Sequence, residues 1–445
     1  MANRVMGIEE AIERIGVGRF QRKLLVICGA GWAADAMEVV IIAFVIPAVI
    51  REWSLTTTQA GLIGTAIFVG MLIGAWFWGA ITDRIGRKPG FVLTVLVDSV
   101  FGFLSALSPS YIWLLVLRAV TGFGVGGTLP VDYSIFSEYL PRQNRGRYLV
   151  LLESFWALGT IVAAALAWLI VPRVGWRVLL AVSAVPGLII YFIRRYVPES
   201  PRYLLLEGRE EEARHILLQV ARENGVSLEI ERLQVQARTK QATAVALWRR
   251  PFIRTTFMLW IAWFCISIGY YGTFTWLPNI LYQRGFDFVK TYQYVFIMAL
   301  AQLPGYFSAA YLVERWGRRI TLAAYLILSG VFTYLFAIVS GLPAIIVAAV
   351  WMSFFTLGAW GVLYAYTPES YPTEIRATGM GAASGMTRIA GAIAPTLGGL
   401  LLPLSLVIAL TVYAAAFILG GIGVFLLGQE TKDRPLAEIV APTAG

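Results

Sequence analysis

The chain has 445 residues, of which 58% are hydrophobic and 14% charged, with a formal net charge of +10. So much apolar surface excludes a soluble fold, whereas bilayer spans of about 20 apolar residues each would absorb it, which makes this an integral membrane protein. The positive balance reads as a topology signal rather than a nucleic-acid footprint, because retained Lys and Arg mark the cytoplasmic side of a membrane protein.

In chain order, residues 1–23 form a charged cytoplasmic segment whose Ile8, Ile12 and Ile15 predict a helix along the inner membrane surface. The apolar run that follows is long enough to span, so no cleavable signal peptide is expected. Six spans at 24–50, 59–81, 89–107, 111–138, 148–171 and 176–197 make an N-terminal bundle over 24–197. Residues 198–252 read as a cytoplasmic linker with a short solvated helix at 207–223, where His215, the only histidine, is an exposed residue. Any proton coupling then falls to carboxylates. Spans at 253–281, 292–313, 320–339, 342–366, 377–402 and 404–427 make a C-terminal bundle over 253–428, and 429–445 is a cytoplasmic tail. Most of the Lys and Arg fall in the tails and in the loops on the side of the termini. The opposite loops hold only Arg51, Arg173, Arg177, Arg284 and Lys290, which places both termini in the cytoplasm. Cys28 and Cys265 sit in spans of different halves and read as apolar packing, with no metal-ligand spacing.

The two halves repeat one another. Asp83-Arg84-Ile85-Gly86-Arg87-Lys88 recurs as Glu314-Arg315-Trp316-Gly317-Arg318-Arg319, an offset of 231, and at the same offset Pro47 matches Pro278, Glu138 matches Glu369, Pro141 matches Pro372 and Arg145 matches Arg376. A duplicated set of membrane helices around a shared midplane site is how carriers are built.

Gly79, Asp83, Arg84, Gly86, Arg87 and Lys88 place a helix-packing glycine, an acid and a cluster of bases at one cytoplasmic turn, with Ala310 replacing the first glycine in the second copy. This segment resembles the signature loop of the major facilitator superfamily. Glu138 with Arg145, and Glu369 with Arg376, resemble the acid and base with which sugar-porter-like members latch their cytoplasmic ends. Pro198-Glu199-Ser200-Pro201-Arg202 and Gln429-Glu430-Thr431-Lys432 resemble the end-of-half motifs of that subgroup. The resemblance implies a ring of acid and base contacts, Glu314, Gly317 and Arg318 included, that closes the inner mouth when the halves rock together. Static interhelical contact fits the same residues. Arg118 with Gly122, Gly124, Gly126 and Gly127 resembles a further superfamily motif, of close helix approach and an inward-facing arginine. Over nearly the whole chain the resemblance is nearest to bacterial nicotinate and aromatic-acid permeases, relatives of organic-ion carriers and synaptic-vesicle glycoproteins. The stretches that carry it are Gly31 to Asp35, Pro130 to Ser134, Tyr270 to Pro278 and Gln302 to Phe307.

An ionised side chain at mid-bilayer costs about 2.5 to 3.5 kcal/mol on the lenient insertion scale, so such residues face a cavity or a partner. Asp35 and Glu38 share a helix face near the midplane of span one, and Arg388 lies at similar depth in span eleven. By analogy with the superfamily, Asp35 is the partner of Arg118. Asp132 and Glu153 lie deeper on consecutive spans and can pair or pass a proton, while Asp98 reads as structural. Trp32, Trp156, Tyr270, Tyr271, Phe274, Trp351, Trp360 and Tyr364 supply candidate apolar walls, and Gln302 can bind a ring nitrogen or hydroxyl. An aromatic slot with an arginine at one end suits a flat ring bearing a carboxylate.

The expectation is therefore a twelve-helix secondary transporter in two pseudo-symmetric six-helix bundles, moving a small aromatic carboxylate with a proton. Expected substrate contacts are Arg388, Asp35, Arg118, Trp156, Tyr270, Tyr271, Phe274, Gln302 and Trp360, and expected proton groups are Asp35, Glu38, Asp132 and Glu153. A carrier of sugars or organic cations, or a non-transporting receptor of the same fold, are the alternatives. No cofactor, metal or nucleic acid is expected, no nucleophile with a base appears at a plausible depth, and the protein is expected to act as a monomer in the cell membrane.

Overall fold

The computed structural model describes residues 5–230, 232–234, 244–250, 252–371 and 375–432, nearly all of them helical. A strand β1 (Val5–Gly7) runs into α1 (Ile8–Ile15), and the first bundle then opens with α2 (Arg19–Trp53), α3 (Thr57–Ile85), α4 (Arg87–Ala106), α5 (Tyr111–Glu138) and α6 (Arg142–Val174). Its sixth crossing is broken into α7 (Trp176–Val182), a 3-10 turn (Val185–Leu188) and α8 (Ile189–Tyr196). Pro186, which has no N–H to donate, accounts for the break.

The linker contains α9 (Pro201–Leu206), α10 (Glu210–Glu223) and β2 (Arg232–Gln234). The second bundle is α11 (Ile253–Gln283), α12 (Phe288–Leu300) continued by α13 (Gln302–Trp316), α14 (Arg318–Ile338), α15 (Leu342–Glu369), α16 (Arg376–Leu401) and α17 (Leu406–Leu427). Pro304 cannot bond back to the carbonyl of Leu300, and α12 gives way to α13 at that carbonyl. Among the described residues ten helices are long and apolar enough to cross a membrane, counting α12 and α13 as one. The broken sixth crossing and α16, rich in Gly, Ala and Thr, complete twelve spans.

Close backbone approach joins α3 to α5. A Cβ added at Gly70 or Gly74 would run into the backbone of Ala119 or Phe123, and one at Gly122 or Gly126 into that of Ile67 or Met71. At the face remote from the termini, the halves are joined by Thr57 Oγ1 donating to Gly399 O (2.8 Å), Thr65 Oγ1 to Ala392 O (2.6 Å) and the Tyr292 hydroxyl to Phe44 O (2.9 Å).

The N-terminal segment departs from expectation. Ile8, Ala11, Ile12 and Ile15 of α1 are buried in one cluster with Ala213, Leu217 and Val220 of α10, so the linker helix, not the bilayer, covers the apolar face. Strand β1 pairs in parallel with β2, Met6 opposite Leu233, and Lys23 bridges to Glu223 at 2.5 Å. His215 is exposed on α10.

Candidate functional site

A single turn of α6 and a single turn of α16 face each other across a cavity between the bundles, about 530 Å³ of space free of atoms with its mouth included. Its lining includes Trp32 from α2, Glu153 and Trp156 from α6, Tyr270 and Tyr271 from α11, Tyr306 from α13, Trp360 and Tyr364 from α15, and Ser384, Thr387 and Arg388 from α16. The rings pack edge to face or tilted. Trp32 and Trp156 have centroids 5.0 Å apart, Tyr270 and Trp360 6.1 Å, and Trp156 Nε1 donates across the halves to the Tyr270 hydroxyl at 3.3 Å. Such pairing holds aromatic walls in fixed orientations.

Arg388 is 8% exposed, and among the described residues its Nε has no hydrogen-bond partner. Among the described residues no carboxylate pairs with it. The indole Nε1 of Trp360 is likewise without an acceptor among the described residues. Both residues line the cavity, and buried donors of this kind ordinarily have an acceptor.

Acids gather on the other side. Glu153, 2% exposed, accepts from Trp32 Nε1 at 3.3 Å and from the Tyr133 hydroxyl. Behind it Asp132 lies within electrostatic reach, with neither carboxyl oxygen hydrogen-bonded among the described residues, and Asp35, Asp98 and Glu38 continue the series into the N-terminal bundle.

The expected pair of Asp35 with Arg118 is corrected. Arg118 Nη1 meets Glu38 Oε2 at 2.7 Å, and its Nη2 donates to the Glu38 backbone carbonyl at 2.5 Å, with both side chains fully buried. Glu38 rests against α4, where a Cβ at Gly102 would come within 2.9 Å of its Oε1. Neither Asp35 nor Arg118 lines the cavity, and nor do Phe274 and Gln302. Phe274 packs on Tyr270 at 4.7 Å, and Gln302 is buried at the start of α13. Trp351 faces outward, stacked on Phe355 and 42% exposed. Tyr306, Thr387, Ser384 and Met71 also line the cavity, and neither charge nor motif spacing singles them out in the sequence.

The chain matches the sugar (and other) transporter family over residues 17–441. It belongs to that family. It is 40% identical to the niacin transporter NiaP of Acinetobacter baylyi, over 98% of this chain and 100% of that one. It is also 40% identical to the putative niacin/nicotinamide transporter NiaP of Bacillus subtilis, over 94% and 98%. Among solved structures, the partially occluded inward-open xylose transporter XylE of E. coli superposes with a TM-score of 0.75 at 16% identity, covering 94% of this chain and 99% of that one. The protein is thus a multi-pass membrane transporter of the major facilitator fold.

In this carrier the duplicated motifs build the same structure twice at the face that bears the termini. Gly86, at φ +102°, opens α4, and the Glu199 carboxylate caps that helix by accepting from Arg87 N (2.9 Å) and Lys88 N (3.2 Å). Gly317, at φ +87°, opens α14, and Glu430 accepts from Arg318 N (2.8 Å) and Arg319 N (3.2 Å). A side chain at either glycine would collide with the capping carboxylate, and a carboxylate there also complements the helix dipole. Ser200 donates to Glu138 and Thr431 to Glu369 (2.7 Å).

Among the described residues the ion pairs of these motifs run within each half, and the ring across the halves is expected only where the inner mouth is shut. Arg87 lies 3.8 Å from Glu138, while Arg318 lies 3.0 Å from Glu369 and 3.2 Å from Glu314. Arg145 donates to Leu140 O at 3.1 Å, and Arg84 is exposed. A Cβ at Gly79 would meet nothing, so this glycine does not serve close packing here, and Ala310 at the repeated position fits that freedom. The side chains of Asp83 and Arg376 lie outside the described residues.

Proposed function

We propose that this carrier moves a small aromatic monocarboxylate, with niacin as the type, into the cell together with a proton. The observation that carries the reading is Arg388, a buried guanidinium in an aromatic cavity with no acidic partner among the described residues. A carboxylate takes a guanidinium through two parallel hydrogen bonds while an attached ring lies against the aromatic walls. The two NiaP relatives support the same substrate class. An organic cation would meet Arg388 as a like charge, and a lining made mostly of aromatic rings would leave many of a sugar's hydroxyls without a hydrogen-bond partner.

In this reading the halves rock about the midplane site of a monomer whose termini are cytoplasmic, and the latches at Glu199 and Glu430 keep each half rigid as it moves. The buried carboxylates of the N-terminal half, Asp35, Glu38, Asp132 and Glu153, are the proton groups. A monocarboxylate moving with one proton carries no net charge, so accumulation follows the pH gradient at about 1.4 kcal/mol per unit and hardly responds to voltage. The test is uptake of labelled nicotinate by purified protein in liposomes under an imposed pH difference. Accumulation driven by voltage alone, or none in the presence of the pH gradient, sinks the reading.

A further inference from the structure

We infer that Glu153 takes up a proton each time the cavity binds an organic anion, so that the N-terminal half supplies the proton site and the C-terminal half the anion site of one compartment. The inference rests on the anion reading of Arg388 and goes beyond it. Among the described residues that line the cavity, Glu153 is the one carboxylic acid and Arg388 the one base. They stand on helices of opposite halves, and no ion pair joins them among the described residues.

Charge balance sets the consequence. With Glu153 ionised, the empty cavity holds one positive and one negative charge. An arriving carboxylate leaves one negative charge uncompensated in a site walled by aromatic rings, a costly arrangement in a low-dielectric interior. A proton bound to a Glu153 oxygen restores neutrality, and no covalent bond of the substrate is made or broken.

The surroundings of Glu153 favour this. The Trp32 indole and the Tyr133 hydroxyl donate to it from α2 and α5. Asp132 of α5, Tyr271 of α11, Tyr306 of α13 and Tyr364 of α15 are its other titratable neighbours. Asp132 is an acid, so a charge on Glu153 meets repulsion from behind as well as from the anion in front. Once protonated, Glu153 has an O–H to offer to a ring nitrogen or hydroxyl of the substrate.

The experiment is calorimetric titration of the purified full-length carrier with nicotinate and with benzoate, in buffers of different ionisation enthalpy and at several pH values. For the parent we expect about one proton taken up per anion. Affinity should weaken about tenfold per pH unit across the range where the empty cavity holds Glu153 ionised. Glu153→Gln should bind both anions with no proton uptake and no such slope, and Glu153→Asp should keep the uptake with a displaced pH profile. Uptake that survives in Glu153→Gln, or is lost in Glu153→Asp while binding persists, overturns the assignment and leaves the anion reading standing. Uptake with nicotinate but none with benzoate also overturns it, because the proton then sits on the ring nitrogen. If the parent binds neither anion, the reading of Arg388 falls and this inference with it.

Discussion

At the membrane edge, Glu199 caps α4 and Glu138 faces Arg87 in the N-terminal half, and 231 residues later Glu430 caps α14 and Glu369 faces Arg318. At mid-depth the same offset pairs unlike residues. Glu38 corresponds to Gly269, Asp98 to Ser329, Arg118 to Ala349, Asp132 to Leu363 and Glu153 to Ser384, while Arg388 corresponds to Ala157. Glu153 and Ser384 even line the same cavity from opposite sides. The duplication has kept the scaffold that holds each bundle and divided the charges, acids with one buried arginine in one half and a lone guanidinium in the other.

The comparison breaks most visibly at the two arginines. Arg118 is neutralised inside its own half by Glu38, so Arg118→Leu strands a fully buried carboxylate and should cost about 3 to 5 kcal/mol of stability. Unfolding of the purified protein in detergent measures this, and adding Glu38→Gln to the variant should recover much of the loss. Equal stability of Arg118→Leu and the parent would mean that this pair is not the closed unit described here. Arg388 has no such partner, so Arg388→Ala should fold well and lose about 1.5 to 3 kcal/mol of nicotinate affinity. Unchanged affinity would remove the anion from the C-terminal half.

Where the halves agree, equivalent substitutions should have equivalent effects. Gly86→Ala and Gly317→Ala force a side chain into backbone conformations that favour glycine, against Glu199 and Glu430, and each should cost about 1 to 3 kcal/mol. Gly79→Ala should be close to neutral, since its added methyl meets nothing and the second copy already carries Ala310. A large penalty at Gly79, or a penalty at only one of the two capping glycines, would show that the latches are not structural equivalents.

Much of this was legible because duplication is visible in residue identity alone. The twelve crossings, the repeated latch residues and the aromatic residues on α2, α6, α11 and α15 follow from apolar runs and motif spacing. Which side chain faces inward does not. Asp35 and Glu38 are three residues apart, about 4.5 Å along one helix face, well within the reach of an arginine, so depth could not decide which of them Arg118 takes. Tyr270, Tyr271 and Phe274 sit within a helical turn of one another, yet a small difference in rotation leaves Phe274 outside the cavity. Depth along its span points to Gln302, yet it is Tyr306, one turn on in α13, that lines the cavity. The linker's cover over α1 was invisible too, because an amphipathic stripe fits a protein face as well as a membrane surface.

Among the charged groups, the smallest effects are expected at Glu138 and Glu369. Glu369 receives two N–H groups of Arg318, at 3.0 and 3.3 Å, together with the Thr431 hydroxyl, whereas Glu138 stands 3.8 Å from Arg87 and is bonded by Ser200. Both carboxylates lie at the membrane edge, where an ion pair contributes about 0 to 1 kcal/mol. Each pair also lies within one bundle, so it travels with that bundle as the halves rock. Glu138→Gln and Glu369→Gln should therefore change the balance between states by no more than about fivefold, with Glu369→Gln the larger. Spin-label distances between the terminal-face ends of the two halves measure that balance directly. A greater shift toward the state open at that face would mean that these acids exchange partners across the halves in the opposite state, restoring the ring of contacts that the repeated motifs suggest.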